Sequence, residues 1–126
     1  MIAVVDDDAD FVESVTLILE RAGHRVVSAG NREEGMRLAQ DPELEVLVLD
    51  VMMTEPDDGI AMAQDLRKAG FDKPILMMSG ISRVTGLSYG RDKQVVPVDD
   101  FVEKPVKPEV LVRKIDALLH RGKEGS

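Results

Sequence analysis

The stretch EVLVLDVMM, residues 45–53, places one carboxylate, Asp50, within a run of seven apolar side chains. A short apolar run of this kind predicts a buried strand, here Val46–Asp50. Burial of an unpaired carboxylate is costly, so Asp50 must be paired, protonated, bound to a metal or placed where the strand reaches solvent. Each of these environments implies a site.

Working outward from this strand, five short apolar segments alternate with segments of helical character. This alternation predicts an α/β fold, in which a parallel sheet is covered by helices on both faces. A chain of 126 residues is long enough for one core and too short for two ordinary domains. The predicted strands are Ile2–Val5, Arg25–Ser28, Val46–Asp50, Ile75–Ser79 and Asp100–Glu103.

The helices are predicted from apolar residues at helical spacing and from residues typical of helix ends. Asn31 and Glu34 resemble a capping box, and Gly23, Gly70 and Gly122 are predicted to end helices. The predicted helices are Asp8–Ala22, Arg32–Gln40, Ile60–Ala69 and a last one that starts at Pro108. Residues 80–98 lack a sustained period, so a helix between the fourth and fifth strands is predicted to be short, bent or absent.

Composition and charge argue against several classes of function. The net charge of -8 opposes direct binding to nucleic acid. The absence of cysteine excludes disulfides and thiolate chemistry, and His24 and His120 are predicted to be solvated surface residues. No apolar run is long enough to span a membrane and no signal peptide is evident, so we expect a soluble, cytoplasmic protein.

Polar residues follow four of the five predicted strands, at the edge where open α/β sheets bind their ligands. Asp6 and Asp7 follow the first strand, Asp50 closes the third, Ser79 closes the fourth and Lys104 follows the fifth. Three carboxylates close together repel one another unless a cation binds. Mg²⁺ suits this set because it prefers oxygen ligands and usually takes one or two protein carboxylates.

A carboxylate beside Mg²⁺ and a lysine can act as a nucleophile toward a phosphoryl group, which gives an acyl phosphate. Lys104 would neutralise charge on the phosphoryl oxygens, and the Ser79 hydroxyl would donate to one of them. The alternative for Asp50 and Lys104 is a structural ion pair without function. For Ser79, the alternative is a strand-end hydroxyl that only satisfies backbone groups.

With these residues in place, the sequence resembles the receiver domain of two-component response regulators. The resemblance rests on VVDDD after the first strand, VLVLDVMM around Asp50, PILMMSG at the fourth strand and DFVEKPV at the fifth. It implies that Asp50 is the phospho-acceptor, that Asp6, Asp7 and the Met52 carbonyl bind the metal with Asp50, and that Ser79 and Lys104 contact the phosphoryl group. It also places Phe101 at an aromatic position whose rotamer changes on activation.

The same resemblance implies a doubly wound, flavodoxin-like (βα)5 fold with strand order 2-1-3-4-5. Residues 1–121 would form the receiver domain, and residues 122–126 a tail or linker stub. The donor would be a histidine kinase or a phosphotransfer protein, and the output would pass to a downstream protein or a fused domain. Such a domain is not an enzyme beyond its own phosphoryl transfer and slow dephosphorylation. A homodimer, and the choice between a stand-alone receiver and an excised domain, are left open.

The loop after Asp50 departs from the family pattern. In DVMMTEPDDG, Thr54 stands where the family usually has proline, and Gly59 comes one residue late. Met52 and Ile81 occupy positions that tune the lifetime of the phosphoryl group in the family. Because neither side chain can orient a water, we expect slow self-dephosphorylation.

Two other functions remain open from the sequence. A small Mg²⁺-dependent phosphohydrolase of the haloacid-dehalogenase type also uses an aspartate after an apolar strand, then Ser or Thr, then Lys. A pseudo-receiver that only binds partners is allowed if the altered loop blocks phosphate entry. Turnover of a general phosphatase substrate would distinguish the first of these from a receiver.

Overall fold

A computed structural model describes residues 1–50, 58–80, 98–104 and 106–124 of the chain. From the first strand to the fourth, strands and helices alternate along the chain as the sequence predicts. The elements are β1 (Ile2–Val5), α1 (Ala9–Arg21), β2 (Val26–Ala29), α2 (Arg32–Leu38), β3 (Val46–Asp50), α3 (Asp58–Lys68), β4 (Ile75–Gly80), β5 (Asp100–Lys104) and α4 (Pro108–Glu124). The irregular helix expected between the fourth and fifth strands would fall mainly within 81–97, outside the described residues.

The five strands form one parallel sheet in the order β2-β1-β3-β4-β5. This confirms the doubly wound fold and its predicted strand order. Every residue of β1 and of β3 is buried. Strands covered on both faces are read in a sequence as continuous apolar runs rather than as alternating ones, which explains why VLVLD stands out.

Two apolar layers form the core, one on each face of the sheet. Alternate residues of β1 face opposite layers, with Ala3 and Val5 in one and Ile2 and Val4 in the other. The first layer packs under α2 and α3, and the second packs under α1 and α4. Each fully buried Leu or Ile in these layers contributes about 1.5–3 kcal/mol of transfer free energy.

The helix ends follow the predicted capping chemistry. Asn31 Oδ1 accepts a hydrogen bond from the Glu34 amide at 2.9 Å, and the Asn31 side-chain amide donates to Glu34 Oε1 at 3.1 Å. Gly23 and Gly70 have φ values of 97° and 95°, a conformation that glycine adopts without strain and that ends α1 and α3.

Several predicted boundaries differ from the structure. The prediction that Gly122 ends the last helix was wrong, because α4 continues to Glu124. A glycine costs only about 1 kcal/mol inside a helix, which the buried stripe of α4 offsets. Strand β2 runs one residue later than predicted, and α2 ends two residues earlier. The Gln40 amide bonds to the Arg37 carbonyl in a tighter turn, which stops α2 from extending.

His24 is a second correction. Its side chain is only 19% exposed, and Nε2 lies 3.5 Å from Asp116 Oδ1 on α4. Because Gly23 turns the chain back toward the sheet, the next side chain packs against a neighbouring helix rather than entering solvent. His120 is exposed, as predicted.

Candidate functional site

The turn between β1 and α1 positions the first two aspartates. The Asp6 amide donates to the Ala29 carbonyl at 3.1 Å, which extends the β1–β2 pairing by one residue. Asp6 Oδ1 accepts a hydrogen bond from the Asp8 amide at 2.9 Å. The side chain of Asp6 is buried, and that of Asp7 is exposed. The turn therefore presents one fixed carboxylate and one that faces solvent.

Asp50 is the last residue of β3 and is 5% exposed. The β1–β3 register pairs Val5 with Leu49. Asp6 and Asp50 are the residues that come directly after this pair, one after each of its members. Strand β2 lies on the other side of β1, so the strand order reverses between β1 and β3. Open α/β sheets place their ligand sites at this kind of reversal.

The structure brings the three predicted carboxylates together. One carboxylate oxygen from each of Asp6, Asp7 and Asp50 lies within 4.8 Å of the other two. In an octahedral Mg²⁺ site, opposite ligands are about 4.2 Å apart, twice the Mg–O distance of about 2.1 Å. Separations of no more than 4.8 Å are of this order. The hard oxygen donors, two of them on buried residues, therefore fit a magnesium ion.

The backbones of Ser79 and Lys104 reach the same edge of the sheet. Asp50 pairs with Met78, so Ser79 is the next residue along β4. Gly80 pairs with Lys104 on β5. These registers are consistent with the predicted roles of Ser79 and Lys104, which remain predictions. Met52, whose carbonyl is predicted to bind the metal, lies outside the described residues.

Phe101, the predicted switch aromatic, is half-buried and packs against the layer under α2 and α3. Phe101 lies on β5, an edge strand of the sheet, where a half-buried ring is compatible both with a change of rotamer and with an ordinary core contact. Its predicted movement on activation stays a prediction.

An open groove of about 550 Å³ runs from Asp6 and Asp7 between α1 and the end of β2. Glu13 and Glu20 of α1 also line it, and its described lining includes no lysine or arginine. The sequence reasoning missed these two glutamates. Their spacing of two helical turns could have shown that they share a face of α1. The groove extends the negative charge of the site and therefore favours cationic groups.

Comparison with known proteins shows the family of this chain. The sequence model of the response regulator receiver domain matches residues 2–116. The chain belongs to this family.

The receiver domain has relatives of known name and structure. It is 33% identical over 124 residues to the alkaline phosphatase synthesis transcriptional regulatory protein PhoP of Bacillus subtilis (strain 168), covering 95% of this chain and 48% of that protein. The chain thus spans about half the length of this relative. The receiver domain of NtrX from Brucella abortus superposes with a TM-score of 0.81 at 25% identity, covering 95% of this chain and 98% of that one.

A receiver domain protein from Clostridium thermocellum gives a TM-score of 0.86 at 20% identity, covering 99% of this chain and 98% of that one, and so supports the fold alone. Receiver domains are signalling domains of two-component systems rather than classical enzymes. They generally bind Mg²⁺ at an acidic pocket, and the described residues here supply an aspartate cluster. Of the described helices, none has both the length and the apolar character that a bilayer span requires.

Proposed function

We propose that this receiver domain accepts a phosphoryl group on Asp50 from a histidine kinase or a phosphotransfer protein. Asp6, Asp7, Asp50 and the Met52 carbonyl would hold Mg²⁺. The observation that carries this proposal is the cluster of Asp6, Asp7 and Asp50 at the strand-order reversal. Membership of the receiver family supports it independently.

In the proposed reaction, an Asp50 carboxylate oxygen forms a bond to phosphorus while the bond from phosphorus to the donor breaks. The electron pair of that bond stays on the donor. Asp6 and Asp7 hold the metal beside the acceptor, Lys104 balances charge on the phosphoryl oxygens and the Ser79 hydroxyl donates to one of them. Bound Mg²⁺ supplies positive charge that reduces repulsion between the phosphoryl group and the carboxylates.

The phosphorylated state would shift a conformational equilibrium and so change the affinity for a partner. We place that output in a downstream protein or a fused domain, and we place the receiver, residues 1–121, in the cytoplasm. Several relatives are named as transcriptional regulators, which supports an output that acts on transcription.

Intact-mass measurement after incubation with acetyl phosphate tests the acceptor. We expect the wild type to gain one phosphoryl group in Mg²⁺ and not in EDTA, and Asp50→Asn to gain none. Asp72→Asn is the matched control, because it removes an exposed carboxylate from the loop before β4 and should leave phosphorylation unchanged. An adduct on Asp50→Asn would show that Asp50 is not the acceptor.

Turnover of p-nitrophenyl phosphate distinguishes the phosphohydrolase alternative. A receiver domain should show no sustained turnover, because its acyl phosphate forms once and breaks down slowly. Steady release of p-nitrophenol that is lost in Asp50→Asn would favour the phosphohydrolase instead.

A further inference from the structure

The β1–α1 turn contains two hydrogen-bonded steps in series. The Asp8 amide donates to Asp6 Oδ1 at 2.9 Å. Asp8 Oδ1 in turn accepts from the amides of Asp10 at 3.1 Å and Phe11 at 3.2 Å. Asp8 is the N-cap of α1, with an extended backbone (φ -90°, ψ 101°). One residue thus joins the carboxylate of Asp6 to the first turn of the helix.

The helix end of this connection is firmly anchored. Phe11 packs against the apolar layer that contains Val15 and Leu19 of the same helix. Val15 and Leu19 are 1% and 0% exposed. Because α1 is fixed by this packing, its N-cap fixes the position of the Asp8 amide. That amide holds one oxygen of the buried Asp6 carboxylate and so restricts the orientation of the whole group.

We propose that Asp8 is a positioning residue for the metal site. By capping α1, it holds the Asp6 carboxylate in the orientation in which it meets Asp7 and Asp50. This proposal rests on the proposed Mg²⁺ site. Asp8 itself is not a ligand in this account, because its side chain is used by the two helix amides.

The competing explanation is that Asp8 acts only through its negative charge near the ion. Asp8 is exposed, so solvent and salt screen that charge. The two explanations predict different Mg²⁺ affinities for Asp8→Asn, because asparagine keeps the cap and loses the charge. Alanine loses both.

A Mg²⁺ titration of the intact chain, monitored by the NMR chemical shifts of the backbone amides, tests the proposal. The urea unfolding of each variant is measured in parallel. We expect Asp8→Ala to raise the dissociation constant about fivefold, which corresponds to about 1 kcal/mol at 1.4 kcal/mol per tenfold. Asp8→Asn should stay within about twofold of the wild type. Asn31→Ala is the matched control, since it removes the cap of α2 from a turn that carries none of the three carboxylates. It should lower stability and leave the Mg²⁺ affinity unchanged.

Each outcome decides between the explanations. If Asp8→Ala and Asp8→Asn weakened Mg²⁺ binding equally, the charge of Asp8 rather than its capping role would be responsible, and the proposal would be overturned. Tight binding by Asp8→Ala would overturn it while leaving the metal site intact. Failure of the wild type to bind Mg²⁺ would overturn the metal site and the role of Asp8 together. If Asn31→Ala lost as much Mg²⁺ affinity as Asp8→Ala, the effect of Asp8 would come from its contribution to overall stability. That result would also overturn the proposal.

Discussion

Gly35 marks the closest approach of α2 to the rest of the fold. A Cβ atom built at this position would lie 2.8 Å from Met62 Cε and 3.0 Å from both methyl carbons of Val5. The Met62 end group is flexible, but it is fully buried, and Val5 is held in the central sheet. The absence of a side chain at residue 35 therefore sets the spacing between α2 and β1.

Gly35→Ala should lower the free energy of unfolding by about 1–2 kcal/mol, because the cost of overpacking exceeds the gain of about 1 kcal/mol in helix propensity. Urea denaturation measures this. Gly30→Ala is the control, since nothing lies within 4 Å of its added Cβ, and it should change stability little. If Gly35→Ala proved more stable than the wild type, the spacing would not be constrained at this residue.

The sequence also supports a prediction for a second single residue, Met52, and the lifetime of the phosphorylated state. Its apolar side chain cannot orient a water toward an acyl phosphate on Asp50. We therefore expect Met52→Asn to shorten the half-life of the phosphorylated protein, measured by intact mass after removal of acetyl phosphate. A wild-type half-life shorter than that of Met52→Asn would contradict this prediction.

At the scale of elements, Arg67 joins the end of α3 to the segments that precede β4 and β5, at the edge of the sheet opposite the aspartates. Nη1 donates to the carbonyls of Phe71 and Lys73, both at 2.9 Å, and Nη2 donates to Asp99 Oδ2 at 2.9 Å. The same Asp99 oxygen accepts from the Ile75 amide at 2.8 Å. One guanidinium thus fixes the loop before β4 and the residue before β5.

Arg67→Lys should destabilise the protein by about 1–2 kcal/mol, because an ammonium group cannot reproduce the planar fork that reaches three acceptors. Glu43→Gln is the control, since it breaks the exposed Arg25–Glu43 ion pair of 2.6 Å and should cost no more than about 0.5 kcal/mol. Equal effects in urea denaturation would mean that the Arg67 contacts contribute no more than a surface pair.

At the scale of the whole molecule, the proposed Mg²⁺ site would couple the stability of the fold to the metal. Three carboxylates within 4.8 Å of one another repel in the metal-free protein. A ligand that binds only the folded state stabilises it by about 2.7 kcal/mol at 100 times its dissociation constant. Mg²⁺ should therefore stabilise the entire domain, although its proposed ligands lie at one edge of the sheet.

Asp7→Asn should raise the metal-free free energy of unfolding by about 0.5–1 kcal/mol, since it removes one of the repelling charges at an exposed position. The same variant should lose most of the stabilisation by Mg²⁺. Urea denaturation with and without Mg²⁺ measures both effects. A variant that is less stable than the wild type without metal would show that the charges do not oppose folding.

Much of the fold could be predicted because its signals are local. Strands β1 and β3 are buried on both faces, so their sequences are continuously apolar, and Gly23 and Asn31 act through their own backbone conformation or side-chain chemistry. The errors at Gly122 and His24 have a tertiary cause. Whether α4 extends past a glycine, or a histidine packs beside Asp116, depends on neighbours that are distant in sequence.

The candidate site was predictable in part for the same reason. Asp6, Asp7 and Asp50 each stand at a strand end, so the parallel sheet alone brings them together. The groove glutamates Glu13 and Glu20 were missed because their relation to the site depends on how α1 packs beside β2. The roles of Ser79, Lys104 and Met52 remain predictions from the sequence and the family.

The neighbouring placement of β1 and β3 also has a kinetic consequence. The two strands are separated in the chain by α1, β2 and α2, so their pairing is a non-local event that carries a loop-closure cost. The aspartates meet only after this pairing has formed. If pairing follows the rate-limiting step of folding, Mg²⁺ should slow unfolding and leave the refolding rate unchanged. Chevron plots at several Mg²⁺ concentrations would then show whether β1 and β3 pair before or after the rate-limiting step.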